Sequence, residues 1–329
     1  MAEPQTKKAT TRKGPAGEAA PTTPPKFREL IPGDLNIDFV GKRRFFVALS
    51  TVLNIVALIL LFTVGLNYGV DFRGGTDVRV RFAEPTTAGD LRSELADLDL
   101  RELTVQDFGN QGREFLLRFD IEEGAEMSSI GERLSEAFRK SRPQEGAFDI
   151  LSVESVGPKV GAQLRQQGLL AVTFATICMG IYIALRFEWS FGVGAVIALI
   201  HDVLISIGAL VLTQLTFDLT TLAALLTVVG FSVNDTIIIS DRIREILKRN
   251  PKADLATVIN RAINETLSRT LLTTGTVLLV LIALLVWGGS GLRPFSFTLF
   301  VGFVTGAYST IYIAAPIVLL WAHRAKAKA

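Results

Sequence analysis

One acidic residue stands out because it lies inside a long apolar segment. In the stretch VVGFSVNDTIIISDRIRE, Asn234 and Asp235 are adjacent, and most of their neighbours are apolar or carry hydroxyl groups. A carboxylate in a bilayer must be paired with a cation, reached by water or kept neutral by a proton, because an isolated charge there is unfavourable by about 2.5–3.5 kcal/mol or more. Asp235 is therefore a candidate for taking up and releasing a proton.

Three further polar residues lie within or at the ends of apolar segments. Arg269, in INETLSRTLLTT, is the natural partner of Asp235 by depth, because its long side chain can turn inward. His201 and Asp202, in IALIHDVLISIG, could extend a polar chain through the same bundle interior. We therefore predict a proton-coupling group formed by Asp235, Arg269 and Asn234. His201 and Asp202 are assigned to a polar relay beside it.

A static buried ion pair that only holds helices together is the alternative explanation for these residues. Membrane helices usually associate through small residues and hydroxyl groups at a lower cost, and Gly302 and Gly306 already supply a GxxxG packing motif. A proton that moves down a membrane potential releases about 2.3 kcal/mol per 100 mV, which is enough to shift a two-state equilibrium. We therefore favour a carboxylate that titrates during an ion-driven cycle.

The composition indicates that these residues belong to an α-helical polytopic membrane protein. Of the 329 residues, 49% are hydrophobic and 20% are charged, and the mean hydropathy is +0.39. Six apolar segments are long enough to cross the ~30 Å of bilayer hydrocarbon as helices. The predicted spans are residues 45–66, 168–185, 191–212, 219–240, 270–287 and 294–321.

The segment between the first two spans, residues 67–167, is predicted to be a separate α+β domain. The stretch DVRVRF alternates as a half-buried strand does, and the later patterns complete the order β-α-β-β-α-β. That order is typical of the ferredoxin-like fold. The segment shows no paired carboxylates, phosphate loop or metal-ligand spacing, so we expect a binding or mechanical role.

The distribution of Lys and Arg sets the expected orientation in the membrane. Basic residues are concentrated before the first span, between the fourth and fifth spans and after the sixth. We therefore expect both termini in the cytoplasm, the α+β domain outside and the chain in the cytoplasmic membrane. The expected cytoplasmic parts are a disordered basic tail at 1–25, a juxtamembrane segment at 26–44, a loop at 241–269 and a tail at 322–329.

The sequence offers little for metal, disulfide or nucleic-acid chemistry. Cys178 is the single cysteine, which excludes a disulfide within the chain, and the two histidines cannot form a His cluster. The net charge of +2 gives no indication of nucleic-acid binding. We expect no metal, no cofactor, no nucleic-acid partner and no chemical catalysis, with the lipid bilayer as the surrounding medium.

Two short motifs mark the boundaries of the α+β domain. Glycines at such a boundary permit positive φ or a close backbone approach, and a proline prevents the following helix from extending back into the domain. A simple turn and a hinge that couples the domain to the first span are both open interpretations. The motifs consist of Phe72, Arg73, Gly74 and Gly75 after the first span and of Val156, Gly157 and Pro158 before the second.

Several motifs resemble the SecF family of protein-export membrane subunits. They are GVDFRGGT, VESVGPKVG, LRFEWSFGVGAVIALIHDV, GFSVNDTIIISDRIRE, NETLSRTLLTT and GAYSTIYIAAP, in the expected order over about residues 43–321. The resemblance implies a half-sized relative of the resistance-nodulation-division transporters. It also implies that Asp235 is the family's intramembrane carboxylate, with Asn234 beside it and Arg269 as its partner. The family's His-Asp pair falls on His201 and Asp202.

The resemblance further implies partners and an energy source. Members of this family pair with SecD, and the pair acts on the SecYEG translocon and draws the emerging preprotein outward with proton motive force. YajC-type and YidC-type accessory proteins are further candidate partners. The residues leave both H+ and Na+ open as the coupling ion. Because Asp235 has few neighbouring oxygen ligands, H+ is favoured.

Two other functions fit the same architecture. A homodimeric half-transporter could export a lipid or a small molecule, but the external segment is small for that class and the motifs are SecF-like. A non-energised scaffold would use the polar residues only to fix helix register and the choice of partner. A substitution at Asp235 separates the non-energised scaffold from a proton-coupled motor, and a lipid or drug that copurifies without SecD would favour the half-transporter.

Overall fold

The computed structural model describes residues 36–98, 100–107, 112–120 and 127–328. The tail predicted at 1–25 and the first part of the segment predicted at 26–44 lie outside the described residues. In chain order, the elements are α1 (Arg43–Thr63), α2 (Val70–Arg73), β1 (Gly75–Phe82), α3 (Ala88–Glu94), β2 (Arg101–Asp107), β3 (Glu114–Asp120), α4 (Met127–Ser141), β4 (Phe148–Val156), α5 (Pro158–Arg186), α6 (Trp189–Thr213), α7 (Leu219–Arg249), α8 (Leu255–Trp287), α9 (Gly289–Ser309), a π-helical turn (Thr310–Ala314) and α10 (Ala315–Lys328).

The described residues contain six helical segments that are long and apolar enough to cross a membrane, which confirms the predicted number. They are α1, α5, α6, α7, α8 and a last segment, Gly289–Ala322, that runs through α9 and the π turn into α10. In α6, α7 and the last segment 50–56% of the most apolar stretch is buried, against 11–22% in α1, α5 and α8. The first three therefore form the centre of the bundle, and the other three surround it.

Several helices extend beyond the predicted spans, because capping residues and amphipathic continuations decide where a helix ends. Helix α5 begins at Pro158, in the first turn, and not at residue 168. Helix α7 continues to Arg249, and α8 begins after Asp254, whose side chain accepts a hydrogen bond from the Thr257 amide at 3.1 Å. The prediction of a loop at 241–269 was therefore wrong, since only residues 250–254 connect the two helices.

The small domain is built on a four-stranded sheet with the order β2-β3-β1-β4, in which all neighbouring strands are antiparallel. Helices α3 and α4 cover one face, where Leu91 and Leu134 pack into the same core as Val78 and Phe119. This order confirms the predicted ferredoxin-like βαββαβ fold. We call the side of the bundle that carries this domain the domain side, and the other the opposite side.

A strap of residues 36–41 precedes α1 and lies against α8 on the opposite side. Asn260 and Asn264, one helical turn apart, hold its backbone. The Ile37 amide donates to Asn264 Oδ1 at 2.9 Å, and the Ile37 carbonyl accepts from both side-chain amides at 3.0 and 2.9 Å. Asn260 Oδ1 also accepts from the amide of Phe39 at 2.8 Å, and the Phe39 ring is buried. The sequence analysis did not predict this contact.

We expect the double substitution Asn260→Ala/Asn264→Ala to lower the free energy of unfolding by about 1–3 kcal/mol, because the exposed amide of Ile37 and the half-buried amide of Phe39 both lose their partners. The measurement is thermal unfolding of the purified chain in detergent. Asn250→Ala, at the exposed end of α7, is the matched control. Equal stability of the double variant and the control would show that the clamp does not hold the strap.

Candidate functional site

Asp235 lies on the inner part of α7, and its side chain is 2% exposed. Among the described residues, its Oδ1 atom has no hydrogen-bond partner. The buried hydroxyl groups of Thr270 and Thr274 on the adjacent helix α8 likewise have no partner within the described part of the chain. Most buried polar atoms in folded proteins are hydrogen-bonded, so the unsatisfied carboxylate oxygen of Asp235 marks a place where a proton or water would be stabilised.

The two predicted companions of Asp235 lie on the surface of the isolated chain. Arg269 on α8 and Asn234 on α7 are both exposed, although Asp235 itself is buried. Arg269 is close enough to interact electrostatically with the Asp235 carboxylate, but the described residues show no ion pair between them. The predicted group is therefore brought together as a buried acid with an exposed cation and an exposed amide beside it.

Ion pairs join α7 and α8 nearer the opposite side of the bundle. The guanidinium of Arg242 on α7 contacts Glu245 on its own helix and Glu265 on α8. Glu265 also accepts from Arg261 Nε at 2.7 Å. Since Arg242 and Glu265 lie on the same helices as Asp235 and Arg269, these contacts hold the two candidate coupling residues in a fixed helix pairing.

Asp202 forms the best-connected polar site in the bundle. Its Oδ1 is hydrogen-bonded to Nδ1 of His201 at 2.9 Å. Its Oδ2 accepts from the hydroxyl of Ser232 at 2.6 Å and from that of Ser309 at 2.8 Å. Asp202 is 1% exposed, and its partners come from α6, α7 and α9. The carboxylate thus connects the three central helices.

The network around Asp202 reaches towards α1 through an aromatic side chain. The His201 ring lies 6.1 Å from the ring of Tyr308, measured between centroids. The Tyr308 hydroxyl donates to the Phe46 carbonyl at 2.9 Å and shares a 2.8 Å hydrogen bond with Ser50. His201 Nε2 is buried and has no partner among the described residues. His201 and Asp202 therefore lie in one polar cluster, but within the described residues no hydrogen bond links that cluster to Asp235.

The hydroxyl groups in this network are the site residues that the sequence analysis missed. Ser309 is the last residue of α9, and Thr310 begins the π-helical turn. Thr310 is hydrogen-bonded to Thr236 of α7 at 3.2 Å. The signal in the sequence was the run of hydroxyl side chains in GAYST, inside an apolar segment. Single π-helical turns within helices frequently occur at functional sites.

The predicted packing glycines lie where α9 meets α7. A Cβ atom at Gly302 would collide with the side chain of Val228, and one at Gly306 would lie 3.1 Å from the Cβ of Ser232. Small residues allow two membrane helices to approach closely. That approach brings the hydroxyls of Ser232 and Ser309 to the same carboxylate oxygen.

The two predicted boundary motifs of the small domain lie against each other. Gly74 and Gly75 have φ of +86° and +99°, in the left-handed region, and a Cβ at Gly74 would lie 2.7 Å from the Cα of Pro158. Gly75 is paired with Val156 between β1 and β4, and Gly157 caps α5 in an extended conformation. Both crossings between domain and bundle therefore form one compact junction.

The chain before the junction is attached to the α6–α7 connection. The Phe72 ring stacks on that of Phe217 at 5.3 Å, and Asp71 accepts from the Leu219 amide at 2.9 Å. Arg73 points outward and forms an ion pair with Glu102 at 2.8 Å. These contacts favour the interpretation of the motif as a fixed turn over that of a free hinge.

Within the described residues, no group of three or more His, Cys, Asp and Glu side chains could hold a metal ion. The polar side chains of the bundle can hold protons and fix helices. Among the described residues of the site, no nucleophile is paired with a base.

Comparisons with known proteins identify the family of this chain. The family described as protein export membrane protein SecD/SecF, C-terminal, matches residues 133–324, and the SecD/SecF GG motif matches residues 59–86. Protein translocase subunit SecF of Calditerrivibrio nitroreducens is 40% identical over 297 residues, covering 90% of this chain and 97% of the relative. The corresponding subunit of Rickettsia felis is 38% identical over 295 residues, with 90% and 95% covered.

A solved structure has a similar fold. The crystal structure of SecDF, a translocon-associated membrane protein from Thermus thermophilus, superimposes with a TM-score of 0.79 at 36% identity. The match covers 88% of this chain and 39% of the SecDF chain, so the present chain spans about two fifths of that protein. The chain therefore belongs to the SecD/SecF family of protein-export membrane proteins and is similar throughout most of its length to the SecF subunits of the protein translocase.

Proposed function

We propose that this chain pairs with SecD and uses a proton gradient to promote preprotein movement through the SecYEG translocon and its release outside. Family membership establishes a transport role in protein export. The use of proton motive force, the action on SecYEG and the release step are the parts that we add. We also propose that the chain lies in the cytoplasmic membrane with both termini in the cytoplasm, because Lys and Arg are concentrated on the opposite side.

The observation that carries the proposal is the buried, incompletely paired carboxylate of Asp235. A negative charge at that position lacks the hydrogen bonds that stabilise Asp202, so protonation relieves a larger cost there. A hard cation such as Na+ would need several oxygen ligands, whereas a proton needs only the carboxylate itself. We therefore assign Asp235 as the group that binds the translocated proton.

The exposed polar residues beside Asp235 support a partner on the α7–α8 face. Arg269 and Asn234 are exposed in this chain, and an uncovered arginine or amide at membrane depth is unfavourable. A second membrane subunit would cover them and would complete the surroundings of the carboxylate. The structure of a SecDF protein with the same fold makes SecD the partner that we propose for this face.

Arg269→Leu is expected to reduce the gradient-dependent part of preprotein transport by about tenfold or more, since the charge that favours deprotonation of Asp235 is removed. Arg269→Lys keeps the charge and should keep most of the transport. The assay uses vesicles that contain the chain, SecD and SecYEG, with and without an imposed proton gradient. The matched control is Arg249→Leu, at the end of α7. If Arg269→Leu transports like the control, Arg269 is a membrane-surface anchor and not part of the coupling group.

A further inference from the structure

A basic cleft lies on the opposite side of the bundle, between the α5–α6 connection, the end of α7 and α10. Its volume is about 660 Å³. Apolar side chains from the four helices α6, α7, α8 and α10 form its walls, among them Leu247 of α7 and Val318 of α10. Trp189, the first residue of α6, and Trp321 of α10 line it with indole rings that are 66% and 42% exposed. The cleft therefore combines an apolar interior with aromatic residues at its surface.

Two cations at the cleft have no carboxylate partner. Arg244 and Lys248 both line the cleft and are exposed, and in the described ranges neither forms an ion pair. The neighbouring basic residues of this helix end differ, since Arg242 and Arg249 are each paired with Glu245. The lining also contains Glu188, so the three charged groups give a net charge of +1. Arg244 Nη1 donates to the Arg186 carbonyl at 3.4 Å, and the charges of Arg244 and Lys248 are left to a ligand.

We propose that this cleft binds the headgroup of an anionic phospholipid, with Arg244 and Lys248 on the phosphate and the two tryptophans against the glycerol and upper acyl chain. Basic pockets between membrane helices bind anionic lipid headgroups, and tryptophan is enriched at the level of the headgroups. A soluble phosphate would use the cations but would leave the apolar walls and both indole rings without a contact. The site is separate from Asp235 and goes beyond the proposed transport function.

The cleft is also placed where a lipid can reach it. Trp189 begins a membrane span and Trp321 lies near the end of another, so the cleft is at the membrane boundary. A volume of about 660 Å³ is within the range of small-molecule sites and suits a headgroup with the first carbons of its chains. The surrounding bilayer supplies this ligand at high local concentration without a further partner.

Native mass spectrometry of the purified full-length chain in detergent tests the proposal, with dioleoylphosphatidylglycerol and dioleoylphosphatidylcholine as probes. We expect the wild type to retain the anionic lipid preferentially. We expect Arg244→Gln/Lys248→Gln to weaken phosphatidylglycerol binding by roughly tenfold or more, since each basic residue near the surface contributes to anionic lipid attraction. The control Arg249→Gln/Lys252→Gln removes the same charge outside the cleft and should bind within about twofold of the wild type.

Equal retention of the two lipids, or an equal loss in the cleft variant and in the control, would overturn the proposal. A second measurement does not depend on these variants. A photoreactive amino acid at position 321 is expected to form an adduct with phospholipid in native membranes. A protein adduct at that position, from the translocon or from another subunit, would show that the cleft is a protein interface and would exclude the lipid assignment.

Discussion

Replacing Asp235 with asparagine is expected to abolish the gradient-dependent part of preprotein transport while membrane insertion and SecD binding remain intact. Asparagine has nearly the same size and removes the charge, but it cannot take up and release a proton. Because Asp235 Oδ1 has no hydrogen-bond partner among the described residues, the fold should tolerate a neutral side chain of the same size. The measurement is preprotein uptake into vesicles with and without an imposed gradient, together with copurification of SecD.

Asp241→Asn provides the matched control for this substitution. Asp241 lies on the same helix and is exposed, and its Oδ1 atom is 4.0 Å from Nη2 of Arg186. The substitution therefore removes an exposed carboxylate whose ion pair contributes little to stability. The control should keep the response to the gradient. If Asp235→Asn vesicles respond to the gradient as the wild type does, the proton-coupled function is wrong, and a scaffold or a transporter with another coupling group must be considered.

The hydropathy and the periodicity of the sequence were sufficient to predict the architecture. Apolar segments longer than a bilayer is thick predict spans whatever their neighbours are, so six spans could be predicted, and the described residues contain six helical segments of sufficient length and hydropathy. Strand alternation and the amphipathic helices around Leu91 and Leu134 gave the βαββαβ order in the same way. These features depend on local periodicity, which a single sequence contains.

The ends of the helices and the strap could not be predicted by the same reasoning. Hydropathy falls at the membrane boundary, but α7 and α8 continue because Ile243, Ile246 and Val258 pack against each other in one core. The clamp of Asn260 and Asn264 on the strap joins residues more than 200 positions apart. Periodicity assigns a face to a residue, but it does not say which distant segment covers that face.

In the candidate site too, local properties could be predicted and contacts between distant segments could not. The intramembrane residues Asp235 and Asp202 were identified from the unfavourable burial of a carboxylate, which is a local property. Their different surroundings were not predicted, because they depend on which hydroxyls the neighbouring helices bring to each acid. Asp202 receives Ser232 and Ser309, whereas Asp235 Oδ1 receives no partner among the described residues.

The difference in hydrogen bonding between Asp202 and Asp235 distinguishes two roles that the sequence analysis could not separate. The alternative of a static polar contact between helices fits Asp202, whose two oxygens are both used and whose partners lie on three helices. A titrating role fits Asp235, since its surroundings stabilise the charge less. A mobile proton requires a group whose two charge states are close in free energy, and a fully hydrogen-bonded carboxylate meets that requirement less well.

Asp202→Ala is therefore expected to lower the free energy of unfolding by on the order of 3 kcal/mol, because the buried side chains of His201 and Ser232 lose their partner and Ser309 keeps only the Gly306 carbonyl. Asp202→Asn keeps an acceptor oxygen of similar position, and the serine hydroxyls can rotate to accept from its amide, so its loss should be smaller. Thermal unfolding in detergent measures both changes.

The two Asp202 variants also separate a connection between helices from a proton site. If Asp202 only joins α6, α7 and α9, transport should follow stability, and Asp202→Asn should keep most of the gradient-dependent uptake that Asp202→Ala loses. A variant Asp202→Asn that unfolds like the wild type but no longer responds to the gradient would contradict this role. It would place a second titrating acid in the bundle, and the charge change would then be shared between Asp202 and Asp235.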